Sequence, residues 1–218
     1  LCIHLDGIPL AIELAAARMR AMTLEQIAAR LDNRFRLLTG GDRSALPRQQ
    51  TLRSLIDWSY DLLSPVEQAM LRRLAVFVGG WTLDAAEQVC AGDPLEEWEI
   101  LAFLTSLVEK SLVNCLPDDE GEMRYTLLET IRQYALERLE ESDDGEAVRE
   151  RHYRYFWKIG AMLDWNPSDF TPEQWKLARR CPFERDNARA ALAYGFQRPD
   201  SVLFFYSFHL PDQELQRY

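Results

Sequence analysis

Lysine is nearly missing from this chain: Lys110, Lys158 and Lys176 are the only three in 218 residues. None of them follows a glycine, and no G-x-x-x-x-G-K-[ST] string occurs. Without that loop there is no backbone cradle for phosphates and no hydroxyl to hold Mg²⁺. The chain alone is therefore expected not to be an enzyme, and no catalytic residue is assigned. Cysteine is sparse too. Cys2, Cys90, Cys115 and Cys181 lie far apart with no C-x-x-C pair, which argues against a disulfide framework or a zinc site and fits a reducing cytoplasm. The three histidines, His4, His152 and His209, lack ligand-like spacing, and Asp118–Glu122 lacks the spacing of a calcium loop. No metal site is expected. The longest strongly apolar run, near Val202–Tyr206, is far too short to cross a bilayer. The first residues lack the basic region and apolar stretch of a signal peptide, and no initiator methionine is present, so a cytoplasmic fragment is expected.

What the chain has in quantity is acid. Its net charge is −10, with carboxylates concentrated in Asp93–Glu99 and Asp118–Glu150. A protein built to hold a phosphate backbone normally carries a basic face. With 47% hydrophobic and 28% charged residues, there is room for one or two cored domains.

Helix-capping signals divide the chain. Pro9–Met22 reads as one helix with Pro9 in its first turn. Thr23-Leu24-Glu25-Gln26 is a capping box that opens a second helix through Leu31. Gly40-Gly41 and Pro47 mark a linker. Thr51–Leu63 is helical, and the capping box Ser64-Pro65-Val66-Glu67 starts another helix. Thr82 caps a short third helix, Leu83–Cys90. Asp93-Pro94-Leu95-Glu96 reads as a capping box for a helix through Glu109, with Trp98, Leu101, Leu104 and Val108 as its buried stripe.

Ser111–Leu116 and Met123–Leu127 then read as a β-hairpin around a polar turn with Gly121. Glu129–Glu141 returns to helix. This order matches a winged helix. Glu146–Leu163, rich in aromatics, is followed by the capping box Thr171-Pro172-Glu173-Gln174 and by helical stretches at Pro172–Arg180 and Glu184–Phe196. That pattern suggests the start of helical repeats. The Tyr153, Phe156 and Trp157 cluster reads as core or stacking surface.

Direct DNA reading by the winged helix is disfavoured. A recognition helix offers Arg, Lys, Asn or Gln to base edges. Leu83–Cys90 offers Asp84, Glu87 and Gln88, and the wing turn Asp118-Asp119-Glu120 repels phosphate.

Leu5-Asp6-Gly7-Ile8-Pro9-Leu10 resembles the GxP or GLPL motif of the signal-transduction ATPases called STAND or NB-ARC proteins. Further strings follow in that family's order. Leu46–Leu63, Leu74–Thr82 and Leu107–Val113 look like its bacterial winged helix. Arg124-Tyr125-Thr126-Leu127-Leu128-Glu129-Thr130-Ile131-Arg132-Gln133-Tyr134-Ala135 resembles the winged-helix terminus. Glu184-Arg185-Asp186-Asn187-Ala188-Arg189-Ala190-Ala191-Leu192 resembles a segment of the helical repeats behind it.

About residues 1–195 are covered, and the implied relatives are LuxR-type and related bacterial transcriptional regulators. The resemblance implies an ATP/ADP switch whose winged helix is a lid over the nucleotide, in an intact protein that is a slow NTPase. Gly7, Ile8 and Pro9 would contact the adenine. Leu128 and Glu129 would lie near the phosphates, where many relatives carry a His-Asp pair; leucine has no hydrogen bond to give. Tight ATP or ADP binding to this chain alone is not expected.

The expected fold is mainly α. Residues 1–40 are the helical end of a nucleotide-binding module, 41–50 a linker, 51–142 a winged helix with a small β-hairpin, and 143–218 TPR-like α-helical hairpins. The expected partners are an upstream ATPase core of the same polypeptide and a protein or second copy met through the repeats, with no membrane. Two other readings stand beside this one: a self-contained winged-helix DNA-binding protein, and a helical-repeat interaction scaffold.

Overall fold

The computed structural model describes residues 8–30, 47–118, 121–162 and 170–195. Gly7, Cys2, His4, His209, most of the expected linker and the last stretch from Arg198 lie outside the described residues. Helix α1 spans Pro9–Ala17, with Pro9 at its first position and extended Ile8 as N-cap. It buries Ala11, Leu14 and Ala15. The helix expected through Met22 instead tightens into a 3₁₀ turn, Arg18–Arg20, where the buried Arg18 guanidinium donates to the Ser59 carbonyl at 3.2 Å. Helix α2 covers residues 24–30. Its capping box forms as expected: the Gln26 N–H donates to Thr23 Oγ1 at 3.3 Å, and the Thr23 N–H to Gln26 Oε1 at 3.0 Å.

Helix α3, Pro47–Asp61, begins four residues before the expected Thr51. Pro47 therefore opens a helix, where its missing N–H is harmless, rather than marking the linker. Tyr134 Oη donates to Asp57 Oδ1 at 2.7 Å, and Arg53 pairs with Glu137 at 2.6 Å. These bonds fasten α3 to α7 (Glu129–Glu140).

The central unit runs α4 (Pro65–Leu74), β1 (Trp81–Thr82), α5 (Leu83–Cys90), a 3₁₀ turn (Glu97–Glu99), α6 (Ile100–Glu109), β2 (Asn114–Pro117), β3 (Met123–Thr126) and α7. The three strands form an antiparallel sheet in the order β1-β3-β2. Trp81 lies opposite Tyr125, and Asn114 opposite Thr126. The hairpin was legible, but β1 was not: two residues are too short to show a period-2 alternation. Pairing brings the Trp81 ring 5.3 Å from Phe77 and 6.4 Å from Tyr125, both stacked. Trp81 and Phe77 are each 1% exposed, and burial of a large apolar side chain contributes roughly 1.5–3 kcal/mol. Gly80 makes this close packing possible. Its φ is +107°, and a Cβ there would sit 2.9 Å from the Tyr125 carbonyl.

Helix α6 corrects the expected stripe. Its buried residues are Ile100, Leu104 and Leu107, at i, i+4 and i+7. Trp98 and Leu101 point the other way, 79% and 48% exposed. The cap is also shifted: Glu96 and Glu99 form the box, so the cap lies three residues later than Asp93 suggests.

Helices α8 (Gly145–Met162) and α9 (Pro172–Gly195) run antiparallel. Tyr194 Oη near the end of α9 donates to Glu146 at the start of α8, and Gln174 Nε2 donates to the Met162 carbonyl. Helix α9 is continuous, where two stretches were expected. Pro182 sits inside it and removes one i→i−4 bond. Buried Ala178, Cys181, Ala188 and Ala191 hold both halves on the same core. Tyr153 and Phe156 are core, whereas Trp157 is 38% exposed. One helix pair is described; the remaining expected repeats lie outside the described residues. No helix among those residues is long and apolar enough to cross a membrane.

His152 is 3% exposed, with its ring centroid 5.3 Å from Phe77 and 4.8 Å from Phe156. Burial pushes its pKa down to about 4. The unfolded chain, with a histidine pKa near 6.5, then binds a proton that the folded chain resists. Stability is complete above about pH 6.5 and falls as pH drops toward 4, by on the order of 3 kcal/mol. The Glu67 carboxyl resists burial's upward push because Lys110, Ser106 and Ser64 bond it, which lowers its pKa to about 2. Its contribution is lost only below its unfolded value near 4.5, and further as pH falls toward 2. Thermal melts of His152→Phe are therefore expected to be nearly flat between pH 6.5 and 5, where the parent chain slopes. An equal slope in both would refute the assignment to His152.

Candidate functional site

In a winged helix the second helix of the helix-turn-helix pair is the one that enters a DNA groove. The strand and helix order makes that α6, not α5. Helix α5 packs against α8 instead: Tyr155 Oη donates to Asp84 Oδ2 at 2.8 Å, and Arg151 Nε to the Val89 carbonyl at 2.7 Å. The outward residues of α6 are Leu101, Ala102, Thr105 and Glu109, and exposed Glu96, Glu97 and Trp98 lie in the turn that leads into it. Thr105 Oγ1 is turned back to the Leu101 carbonyl at 2.8 Å. This face is apolar and acidic and carries no guanidinium or amide of its own for a base edge, although the exposed Arg20 reaches Glu109 at 3.7 Å.

The cations of the same unit are already engaged. Residues 63–140 carry fifteen Asp and Glu against six Lys and Arg. Each of the six pairs with a carboxylate: Arg72 and Arg73 with Asp144, Lys110 with Glu67, Arg124 with Glu184, Arg132 with Glu129 and Arg138 with Glu141. The hairpin's one arginine, Arg124, turns inward to Glu184 at 2.6 Å. On the wing Leu116 and Met123 are exposed, beside a turn in which the Glu122 N–H donates to Asp118 Oδ1.

A second constellation joins two strings that lie more than a hundred residues apart. Asn187 is fully buried. Its Oδ1 accepts from the Val78 N–H at 2.6 Å, and its Nδ2 donates to the Gly80 carbonyl at 2.7 Å and to Glu184 Oε2 at 2.8 Å. The other Glu184 oxygen takes Arg124. One asparagine therefore bonds a backbone N–H and a carbonyl of the loop before β1 and the carboxylate that holds the wing's arginine. Helix α9 is latched to the winged helix through the Val78-Gly79-Gly80 loop. Each string was visible in the sequence, but nothing there pairs one with the other.

Arg73 is the third element. It is 2% exposed and gathers the turn after α5. Its guanidinium donates to the carbonyls of Cys90, Gly92 and Asp93 at 2.8, 2.7 and 2.6 Å, and to both Asp144 oxygens.

The predicted nucleotide residues fall at two helix starts. Ile8 and Pro9 open α1, with Ile8 half-buried and Pro9 exposed; Gly7 lies outside the described residues. Leu128 is the N-cap of α7 and 40% exposed, and Glu129 is that helix's first residue. Both Glu129 oxygens accept from Arg132 at 2.8 Å, which lowers its pKa. Glu129 is thus occupied locally. Among the described residues no group of three or more histidine, cysteine or carboxylate side chains is placed to hold a metal ion.

Residues 63–140 match the model of a winged helix-turn-helix domain. The chain is 51% identical, over 195 residues, to "Putative HTH-type transcriptional regulator Rv0890c" of Mycobacterium tuberculosis and to "Putative HTH-type transcriptional regulator Mb0914c" of Mycobacterium bovis. That covers 89% of this chain and 21% of each relative, so the chain spans about a fifth of their length. It is 44% identical over 156 residues to "Uncharacterized protein Rv0894" of Mycobacterium tuberculosis, covering 71% of this chain and 39% of that protein. No solved structure matches it. Sequence match, strand order and helix order agree: residues 63–140 are a winged helix-turn-helix domain, in a chain similar to proteins named as HTH-type transcriptional regulators.

Proposed function

We propose that this chain is a regulatory segment of a cytoplasmic transcriptional regulator, and that its winged helix mates with protein rather than with DNA. One observation carries the reading: all six cations of the domain are in ion pairs, while its α6 face and the turn leading into it present Leu101 and Trp98 beside glutamates. A DNA-binding surface gains most of its affinity from free cations that displace counterions. The occupant proposed for the α6 face is another part of the same polypeptide, since the named relatives are about five times as long as the matched segment.

The finer reading rests on the motif resemblance. In the intact protein an upstream ATPase core would hold ATP or ADP against Gly7, Ile8 and Pro9. The winged helix would close over it from the side of Leu128 and Glu129, and the α8–α9 pair would begin an interaction arm. Adenine nucleotide would then bias two arrangements of the lid by its differential contacts. Calorimetry of the 218-residue chain with ATP or ADP is expected to show no binding at micromolar concentration; micromolar affinity would contradict the division of the site.

Direct DNA binding is the second reading, and the domain description and the relatives' names favour it. A photoreactive residue at position 98 of the full-length gene product separates the two. Crosslinks to protein support the proposal. Crosslinks to promoter DNA, with affinity falling steeply as salt rises, support the second reading.

A further inference from the structure

A cleft of about 410 Å³ opens where α5, α8 and α9 meet. Its volume lies within the range of small-molecule sites. We propose that it binds a small organic acid with an apolar body. The inference is independent of what α6 contacts.

The charge of the wall is the first reason. In a chain of net charge −10, the wall carries four cations, Arg151, Arg154, Lys158 and Arg180, against two carboxylates, Asp84 and Glu184. Both carboxylates are already spoken for. Asp84 accepts from Tyr155 Oη, and Glu184 is held by Arg124 and Asn187. Of the four cations, Arg154 pairs with Glu150 at 2.6 Å, a carboxylate outside the wall. Arg151 gives its Nε to a backbone carbonyl rather than to a carboxylate. Arg180 reaches Glu122 at 3.3 Å, at the exposed wing turn. Burial, and after it the charge of Arg73, makes Arg151 easier to deprotonate than a free arginine. An anion would relieve that imbalance.

The rest of the wall is the second reason. Ile159, Met162 and Leu177 supply apolar lining beside the cations. Few precisely placed polar groups on an apolar surface are what orient a small ligand. A carboxylate or phosphate head would sit at the arginines, and an apolar body would lie against Ile159 and Leu177.

The position gives the site consequence. Glu184 lines the cleft and is also bonded to Asn187, which fastens α9 to the loop before β1. A ligand here touches the winged helix through α5 and the helix pair through α8 and α9. Binding is thus linked to how these two parts pack.

The test uses the 218-residue chain and three probes: octanoate, octylammonium and inorganic phosphate, followed by calorimetry and by amide shifts of α8 and α9. Octanoate is expected to bind saturably at one site, at least tenfold more tightly than phosphate, with no saturable binding of octylammonium. The double variant Arg154→Glu/Lys158→Glu changes two exposed side chains and is expected to weaken octanoate at least tenfold. Gln88→Glu, on the α5 wall, is an independent variant expected to weaken it severalfold. The proposal is overturned by no saturable octanoate binding, by equal binding of octylammonium or of phosphate, or by unchanged affinity in both variants.

Discussion

Replacing Arg73 by methionine is expected to destabilise the chain by about 3–5 kcal/mol, chiefly because three backbone carbonyls lose a charged donor. Arg73 is 2% exposed and donates to three backbone carbonyls and to Asp144. Methionine fills much of the volume, but the carbonyls of Cys90, Gly92 and Asp93 lose their partner. Each buried acceptor left unsatisfied costs on the order of 1–3 kcal/mol. Asp144 is partly exposed and recovers water. Arg73→Lys keeps the charge but not the planar fork that reaches three carbonyls at once, so it is expected to fall between parent and Arg73→Met. Urea denaturation of the three chains checks the order. A loss under about 1 kcal/mol for Arg73→Met would show that the α5–α6 turn is held by something else.

Asn187→Ala is expected to cost about 2–4 kcal/mol, as removal of one side chain leaves the Val78 N–H, the Gly80 carbonyl and one Glu184 oxygen without their bonds. Asn187→Asp separates the donor from the acceptor role. A carboxylate still accepts from Val78 but cannot donate to Gly80, and it places a second negative charge beside Glu184. It is therefore expected to be worse than alanine at pH 7, with the gap narrowing as carboxylates protonate below about pH 5. Hydrogen exchange at the Val78 amide gives a local readout. Its protection should fall in both variants, and retained protection would show that α9 does not latch the loop.

Both predictions concern residues whose importance no local pattern announces. Arg73 stands in an ordinary helix end, -Leu71-Arg72-Arg73-Leu74-, and reads as a solvated cation. Asn187 sits mid-helix in a charged string. Helix starts, by contrast, were legible because a cap is a contract between residues three apart. Ser64 with Glu67, Thr23 with Gln26 and Thr171 with Gln174 all form their paired bonds. The exception, Asp93, is instructive. The turn through Gly92 and Leu95 hands the cap on to Glu96, and the apolar stripe rotates with it. Trp98, expected in the core, becomes the most exposed large apolar side chain among the described residues.

By itself, the sequence determined the helical class, the order of elements, the hairpin and the acidity of the unit, because these follow from spacing within a few residues and from composition. It also offered an argument against DNA binding, made on the wrong helix, whereas the domain match and the relatives' names point toward DNA. Tertiary structure decided which helix occupies the groove-facing position, that every cation of the winged helix is spent on a carboxylate, that α9 is clasped to the Gly79-Gly80 loop by Asn187, and that α5, α8 and α9 enclose a cationic cleft. Apart from the local pairs Arg132–Glu129 and Arg138–Glu141, those facts rest on contacts between residues far apart in the chain, and no short-range periodicity encodes which buried polar group will meet which.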